Sequence, residues 1–173
     1  MKFMRLTSYE DPVFERAMAL YRASFPAHEH RLIDSQKSIL THPEYHFDLV
    51  YDGEDFVGLM LYWETGNFLY VEHFCIEPAL RGKNYGSAAL ALLAEKGKPI
   101  ILEIDPLVDE QSIRRKAFYE RAGFCANPYA HVHPPYQAGV SGHSLIIMSH
   151  PAAIGEAEYD GFNKYLLNTV MGQ

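Results

Sequence analysis

One stretch limits what this chain can fold into: residues 68–93, FLYVEHFCIEPALRGKNYGSAALALL. Its first nine residues are rich in aromatic and β-branched side chains, free of Gly and Pro, and predict a strand. Pro78 closes that strand because it has no N–H to give a ladder. The turn Arg81-Gly82-Lys83-Asn84-Tyr85-Gly86-Ser87 is small, positive and backbone-permissive. A helix follows at once, with Leu90 and Leu93 on one face and Ala88, Ala89, Ala91 and Ala94 supplying propensity. A strand, a basic Gly-containing turn and a helix together suit a phosphate group. The first helical turn has N–H groups with no partner, and its dipole favours an anion. The same turn also serves as a plain connection with Arg81 and Lys83 solvated. It matches neither G-x-x-x-x-G-K-[ST] nor G-x-G-x-x-G, so neither a P-loop nor a dinucleotide fold follows.

The flanking sequence predicts the rest of the fold. Residues 2–7 alternate as a short strand, and Asp11-Pro12 starts a helix running to about residue 23. Residues 24–31 form a polar connection, and a helical segment follows near 34–41. Strands are expected at 44–51, 54–64 and 68–76, joined by Asp52-Gly53 and Gly66-Asn67 as an antiparallel meander. Residues 98–105 (KPIILEID) read as a strand reached through the helix, and so parallel to 68–76 by a right-handed crossover. Asp109 caps a helix over 110–122 that stops at Gly123. Strands at 125–132 and 144–148 come next, then a weaker helix over 154–170 with Gly155 and Gly161 in its path. No repeat, low-complexity tract or linker marks a second domain.

The chain's 173 residues suit one domain with a sizeable core. No apolar run is long enough to span a bilayer, and residues 1–12 lack the pattern of a secretory signal. Cys75 and Cys125 are the only cysteines, which suits a reduced, cytoplasmic protein and leaves a bridge between the two open. A formal net charge of −7 at pH 7 argues against a nucleic-acid or anionic-membrane surface and mildly suits a cationic acceptor.

A second motif sits on the 110–122 helix: Phe118-Tyr119-Glu120-Arg121-Ala122-Gly123-Phe124. By periodicity alone this is an amphipathic helix with a solvated charged face. It resembles the [FL]-Y-x-[KR]-x-G-F segment of the GCN5-related N-acetyltransferases (GNAT). Arg81-Gly82-Lys83-Asn84-Tyr85-Gly86 resembles the [QR]-x-x-G-x-[GA] loop of the same family. The two occur in the family's order within the family's element order, and the likeness covers about residues 2–149. Asn84 stands where the family has its central Gly. Asn is the non-Gly residue that best tolerates a left-handed backbone.

The resemblance implies an α/β (α+β) fold with a mixed, largely antiparallel central sheet, a parallel splayed strand pair at the cofactor cleft and helices on both faces. Residues 1–149 would form one acetyltransferase-like domain, with 150–173 a C-terminal helical extension packed on it. It implies acetyl-CoA as acyl donor, wedged between the parted strands. The pantetheine arm would pair with backbone groups of Phe74 and Ile76, and the pyrophosphate would rest on Arg81, Gly82, Lys83, Asn84, Tyr85, Gly86 and Ser87. Arg115 and Tyr119, at i and i+4, share one helix face, placed toward the cofactor.

The implied reaction is direct transfer to an amine, on a small molecule or a peptide. Tyr119 resembles the family's general acid, and a phenol near pKa 10 is close to balanced against a thiol near 8.5. A backbone N–H near Phe74, freed where the strands splay, would stabilise the oxyanion. Period two puts Tyr70, Glu72, Phe74 and Ile76 on one strand face, which makes Glu72 the expected base and His73 second. Glu29, Arg31, Glu103, Asp105, Tyr129 and Tyr136 are expected around the acceptor. No metal is expected: His28-x-His30 lacks further ligands, and His131, His133 and His143 read as loop and strand residues. The resemblance is compatible with a homodimer. A catalytically silent acyl-CoA-binding domain of the same fold is the alternative, and a nucleotide-binding module is a remote third.

Overall fold

The computed structural model describes residues 1–137 and 139–172. One mixed sheet carries the strand order β1-β2-β3-β4-β5-β8-β6, with β7 added to β8. β1 (Lys2–Arg5), β2 (Tyr45–Asp52), β3 (Asp55–Glu64) and β4 (Leu69–Ile76) form the antiparallel meander. β5 (Ile100–Ile104) runs parallel to β4, after the crossover helix α3 (Tyr85–Ala94). β8 (His143–His150) runs antiparallel to β5.

Helices cover both faces. α1 (Val13–Ser24), α2 (Ile33–Ile39) and α5 (Glu156–Tyr165) lie on one side, where Phe14, Tyr21, Ile39 and Phe162 pack on Leu49, Leu61, Trp63 and Tyr70. α3 and α4 (Glu110–Arg121) lie on the other, where Leu90, Leu93 and Tyr119 pack on Met60, Val71, Leu102 and Ile104. The caps follow the local sequence. Asp11 Oδ1 accepts from the Val13 N–H at 3.0 Å, and Asp109 and Ser112 cap each other's backbone groups at the start of α4.

Two expectations need correction. The strand expected over 125–132 is two short strands, β6 (Cys125–Ala126) and β7 (His131–His133). Pro128 has no N–H to continue a ladder, and Asn127 stitches the break: it donates to Ser149 Oγ at 2.9 Å and accepts from the Ile154 N–H at 2.9 Å. The helix expected over 154–170 starts only at Glu156, with Glu158 Oε2 accepting from the Gly155 N–H at 2.7 Å, and ends in a π-helical turn, Leu166–Val170. Phe162, Leu166 and Val170 are buried in the same core as α1.

Candidate active site

β4 and β5 pair only at Leu69–Ile100, Tyr70–Ile101 and Val71–Leu102. Beyond that point they part, while β5 keeps its pairing with β8 through Glu103 and Ile104. Glu72 carries the mark of this. Its side chain is 1% exposed while the residue as a whole is half-buried, so what is accessible is its backbone. A single cleft of 1410 Å³ opens at the fork.

One end of the cleft is made largely of backbone. Gly82 has φ +77° and Asn84 has φ +67°, so Asn84 does take the left-handed conformation that the loop needs. Asn84 precedes α3, whose first turn has no side-chain cap, leaving those N–H groups facing the cleft. At Gly86 a Cβ would lie 3.1 Å from the Phe118 ring, so a glycine lets α4 close on α3. Phe74, Ile76, Arg81, Gly82, Asn84, Tyr85, Gly86, Ser87 and Arg115 all line the cleft. Lys83, exposed, does not. Arg81 Nε donates to the Ile76 carbonyl at 3.2 Å, and Arg115 is ion-paired with Asp105 across the mouth.

Tyr119 lines the cleft from α4, 9% exposed, and its hydroxyl has no hydrogen-bond partner among the described residues. Burial pushes its phenol up to about 12, with Arg115 pulling the other way. Proton transfer to the thiolate of an ordinary thiol would therefore be uphill, not near balance.

The other end is made of side chains. The expectation that Tyr70, Glu72, Phe74 and Ile76 share a face fails. β3 and β4 pair Leu61 with His73 and Tyr62 with Val71, so Glu72 is an extra residue, a β-bulge. The alternation slips by one. Glu72 and His73 both turn toward the α1 side, His73 against Tyr21 and Phe25, while Phe74 packs on the α3 side. Glu72 accepts from Trp63 Nε1 at 2.7 Å, Arg31 Nη2 at 2.8 Å and the Tyr136 hydroxyl at 2.9 Å. Burial alone would raise its carboxyl, but Arg31, His73 and the Trp63 hydrogen bond together outweigh it and hold the group at about 2. A carboxylate so stabilised is a poor proton acceptor, which weighs against Glu72 as base. Burial lowers His73 to about 4, and its Nε2 is spent on the Glu29 carbonyl at 3.1 Å.

Glu29, Glu103, Asp105 and Tyr136 line the cleft as expected of acceptor residues. Two others do not. Arg31 is 6% exposed and sits behind Glu72, also donating to the Val170 carbonyl at 3.0 Å. Tyr129 lies outside the cleft, stacked on Tyr159 at 4.1 Å with its hydroxyl on the Ile154 carbonyl. Glu103 accepts from Tyr70 at 2.5 Å and from His131. Against burial, the His131 bond, the neighbouring His133 and His131 rings and the Tyr70 bond together keep its carboxyl below the usual range. Phe25, His28, His133 and His143 line the cleft as well, and the sequence reading had not placed them there. The alternation His131-Val132-His133 was the available signal: both imidazoles are buried while Val132 is 57% exposed. Among the described residues no group of three or more His, Cys, Asp or Glu is placed to hold a metal ion. Among the described residues no helix is long and apolar enough to cross a membrane.

The profile of the acetyltransferase (GNAT) family matches residues 11–124. The chain belongs to the GNAT family. A structure from Bacteroides thetaiotaomicron, described as a presumed acetyltransferase from that family, is similar over 100% of this chain and 99% of its own, at 30% identity and a TM-score of 0.93. YjbC of Bacillus subtilis (strain 168), also described as a presumed acetyltransferase, is 31% identical over 80 residues. That match covers 44% of this chain and 41% of YjbC. An aminoglycoside 6'-N-acetyltransferase solved with coenzyme A shares the fold, at 18% identity and a TM-score of 0.58 over 86% of this chain and 96% of its own.

Proposed function

We propose that this protein transfers the acetyl group of acetyl-CoA to an amine. The observation that carries the reading is the fork: one cleft runs from the uncapped start of α3, past the Tyr119 hydroxyl, to a polar end lined by Glu72, Glu103 and Tyr136. The residues present fit the donor. Backbone of β4 beyond Val71 is free of β5 for the pantetheine arm, and the left-handed turn at Gly82 and Asn84 leads into open N–H groups for the diphosphate. When bound, acetyl-CoA supplies an acetyl group activated as a thioester.

The chain's own residues do the rest. Tyr119 gives a proton to the departing sulfur. Its phenol at about 12 is poorly matched to an ordinary thiol, but a thiolate forming in a desolvated cleft gains proton affinity as well. Both groups are raised by the same dry surroundings, and the transfer returns toward balance. Glu72, clamped by Arg31, Trp63 and Tyr136, acts as a fixed anionic wall for the acceptor. Asn84 takes the left-handed conformation, so its departure from the family loop leaves the turn able to meet a diphosphate, in a transferase and in a silent binder alike.

The test measures thiol release from acetyl-CoA across polyamines, amino acids and aminoglycosides, alongside thermal shift with acetyl-CoA, CoA and ATP. Stabilisation by CoA species and release with at least one amine is the expected result. Stabilisation without release from any amine would favour the silent binder, and stabilisation by ATP alone would remove both readings.

A further inference from the structure

The transfer needs a base at the acceptor end, and the two carboxylates whose side chains are buried there, Glu72 and Glu103, are poorly suited. Glu72 accepts from three donors, and both oxygens of Glu103 are engaged. His133 differs. It lies on β7, lines the cleft, and its Nδ1 sits 2.5 Å from the Pro134 carbonyl. A carbonyl oxygen only accepts, so Nδ1 carries the ring proton and Nε2 is left with its lone pair. Nε2 is 3.9 Å from Glu103 Oε2, on a carboxylate that also accepts from His131 and Tyr70. The ring is fixed between Tyr136 at 5.0 Å and His143 at 5.9 Å.

We infer that His133 is the base that takes the acceptor's protons, with Glu103 as the positioning carboxylate that stabilises the imidazolium. The inference rests on the acetyl-transfer reading above. An ammonium sheds two protons in becoming an amide while the N–C bond forms and the C–S bond breaks. His133 Nε2 receives them in turn; one passes to solvent, and the other replaces the proton that Tyr119 gives to sulfur. The groups facing the ring are Glu103 from β5, Glu29 from the 3₁₀ turn after α1, His73 from β4, His143 from β8, and Tyr136.

The test uses the full chain and an amine that the wild type turns over, between about pH 6 and 10. His133→Gln should lower kcat/KM about 100-fold near neutrality, with CoA affinity and Tm kept. The loss should shrink as pH rises, because the ammonium then loses its first proton to solvent without help. A loss equal at every pH gives His133 a packing role and overturns the assignment, as does full activity. Should His133→Gln fail to fold, Glu103→Gln decides. Its kcat/KM profile should have the acidic limb moved to lower pH, since the imidazolium loses its carboxylate, and an unmoved limb overturns the pairing. A wild type that binds CoA but releases thiol with no amine sinks the transfer reading itself, and this base with it.

Discussion

The two ends of the cleft are built on different plans. At the α3 end the determinants are local: two left-handed residues, a glycine under the Phe118 ring and a helix start, all within residues 82–86. At the β7 end they come from far apart in the chain. Glu72 is met by Arg31, Trp63 and Tyr136, and Glu103 by Tyr70 and His131. A backbone site reads the shape of a common group and tolerates change in most side chains. A site of interlocked charges depends on every member, because each loss leaves another buried group unpaired.

The largest effect should come from breaking that interlock. Glu72→Gln leaves the Arg31 guanidinium buried and without its counter-charge, a loss of about 3–5 kcal/mol in denaturant unfolding. The pH dependence gives a second reading. Glu72 is held well below its unfolded carboxyl pKa, so its stabilisation is complete above about pH 4.5 and fades as pH falls toward about 2. The variant should lack that component of acid unfolding. Wild-type stability in Glu72→Gln would show that the acceptor wall does not rest on this pair.

Next in size is a change at the midpoint, where the two plans meet. Tyr119→Phe removes only a hydroxyl that has no partner among the described residues, so the fold should be nearly indifferent. Turnover should fall about ten- to a thousandfold with little change in acetyl-CoA affinity. Collapsed binding with turnover per bound enzyme preserved would assign Tyr119 to the donor's grip instead.

The same contrast explains what could be read from the residues alone. The strand–turn–helix, the Asp109 cap and the left-handed tolerance of Asn84 depend on neighbours in sequence, and each appears where local rules put it. The face of Glu72 depended on a bulge created by the pairing of β3 with β4, and period two along a single strand does not register an extra residue. Arg31 looked like a cleft residue by charge. Its partners, Glu72 and the Val170 carbonyl, lie 41 and 139 positions away, and they draw it behind the wall. Tyr129 was an aromatic in the right segment, but Pro128 breaks the strand just before it and α5 covers it. His133 was legible in principle through its alternation with His131, but only β5 shows what the pair faces.

The smallest effect separates the plans most cleanly. If the α3 end reads backbone shape, its loop should respond to φ and not to side-chain chemistry. Asn84→Gly keeps the left-handed conformation at no steric cost and should leave both stability and CoA affinity within a few tenths of a kcal/mol. Asn84→Val places a β-branched residue at φ +67°, a strain of about 1–2 kcal/mol. That strain relaxes only by moving the turn, so CoA affinity should fall by a similar amount, about five- to thirtyfold in Kd. Isothermal titration with CoA, paired with denaturant unfolding, measures both. Equal weakening in the Gly and Val variants would mean that the Asn84 amide itself contacts the ligand, and the division between a backbone end and a side-chain end would no longer hold.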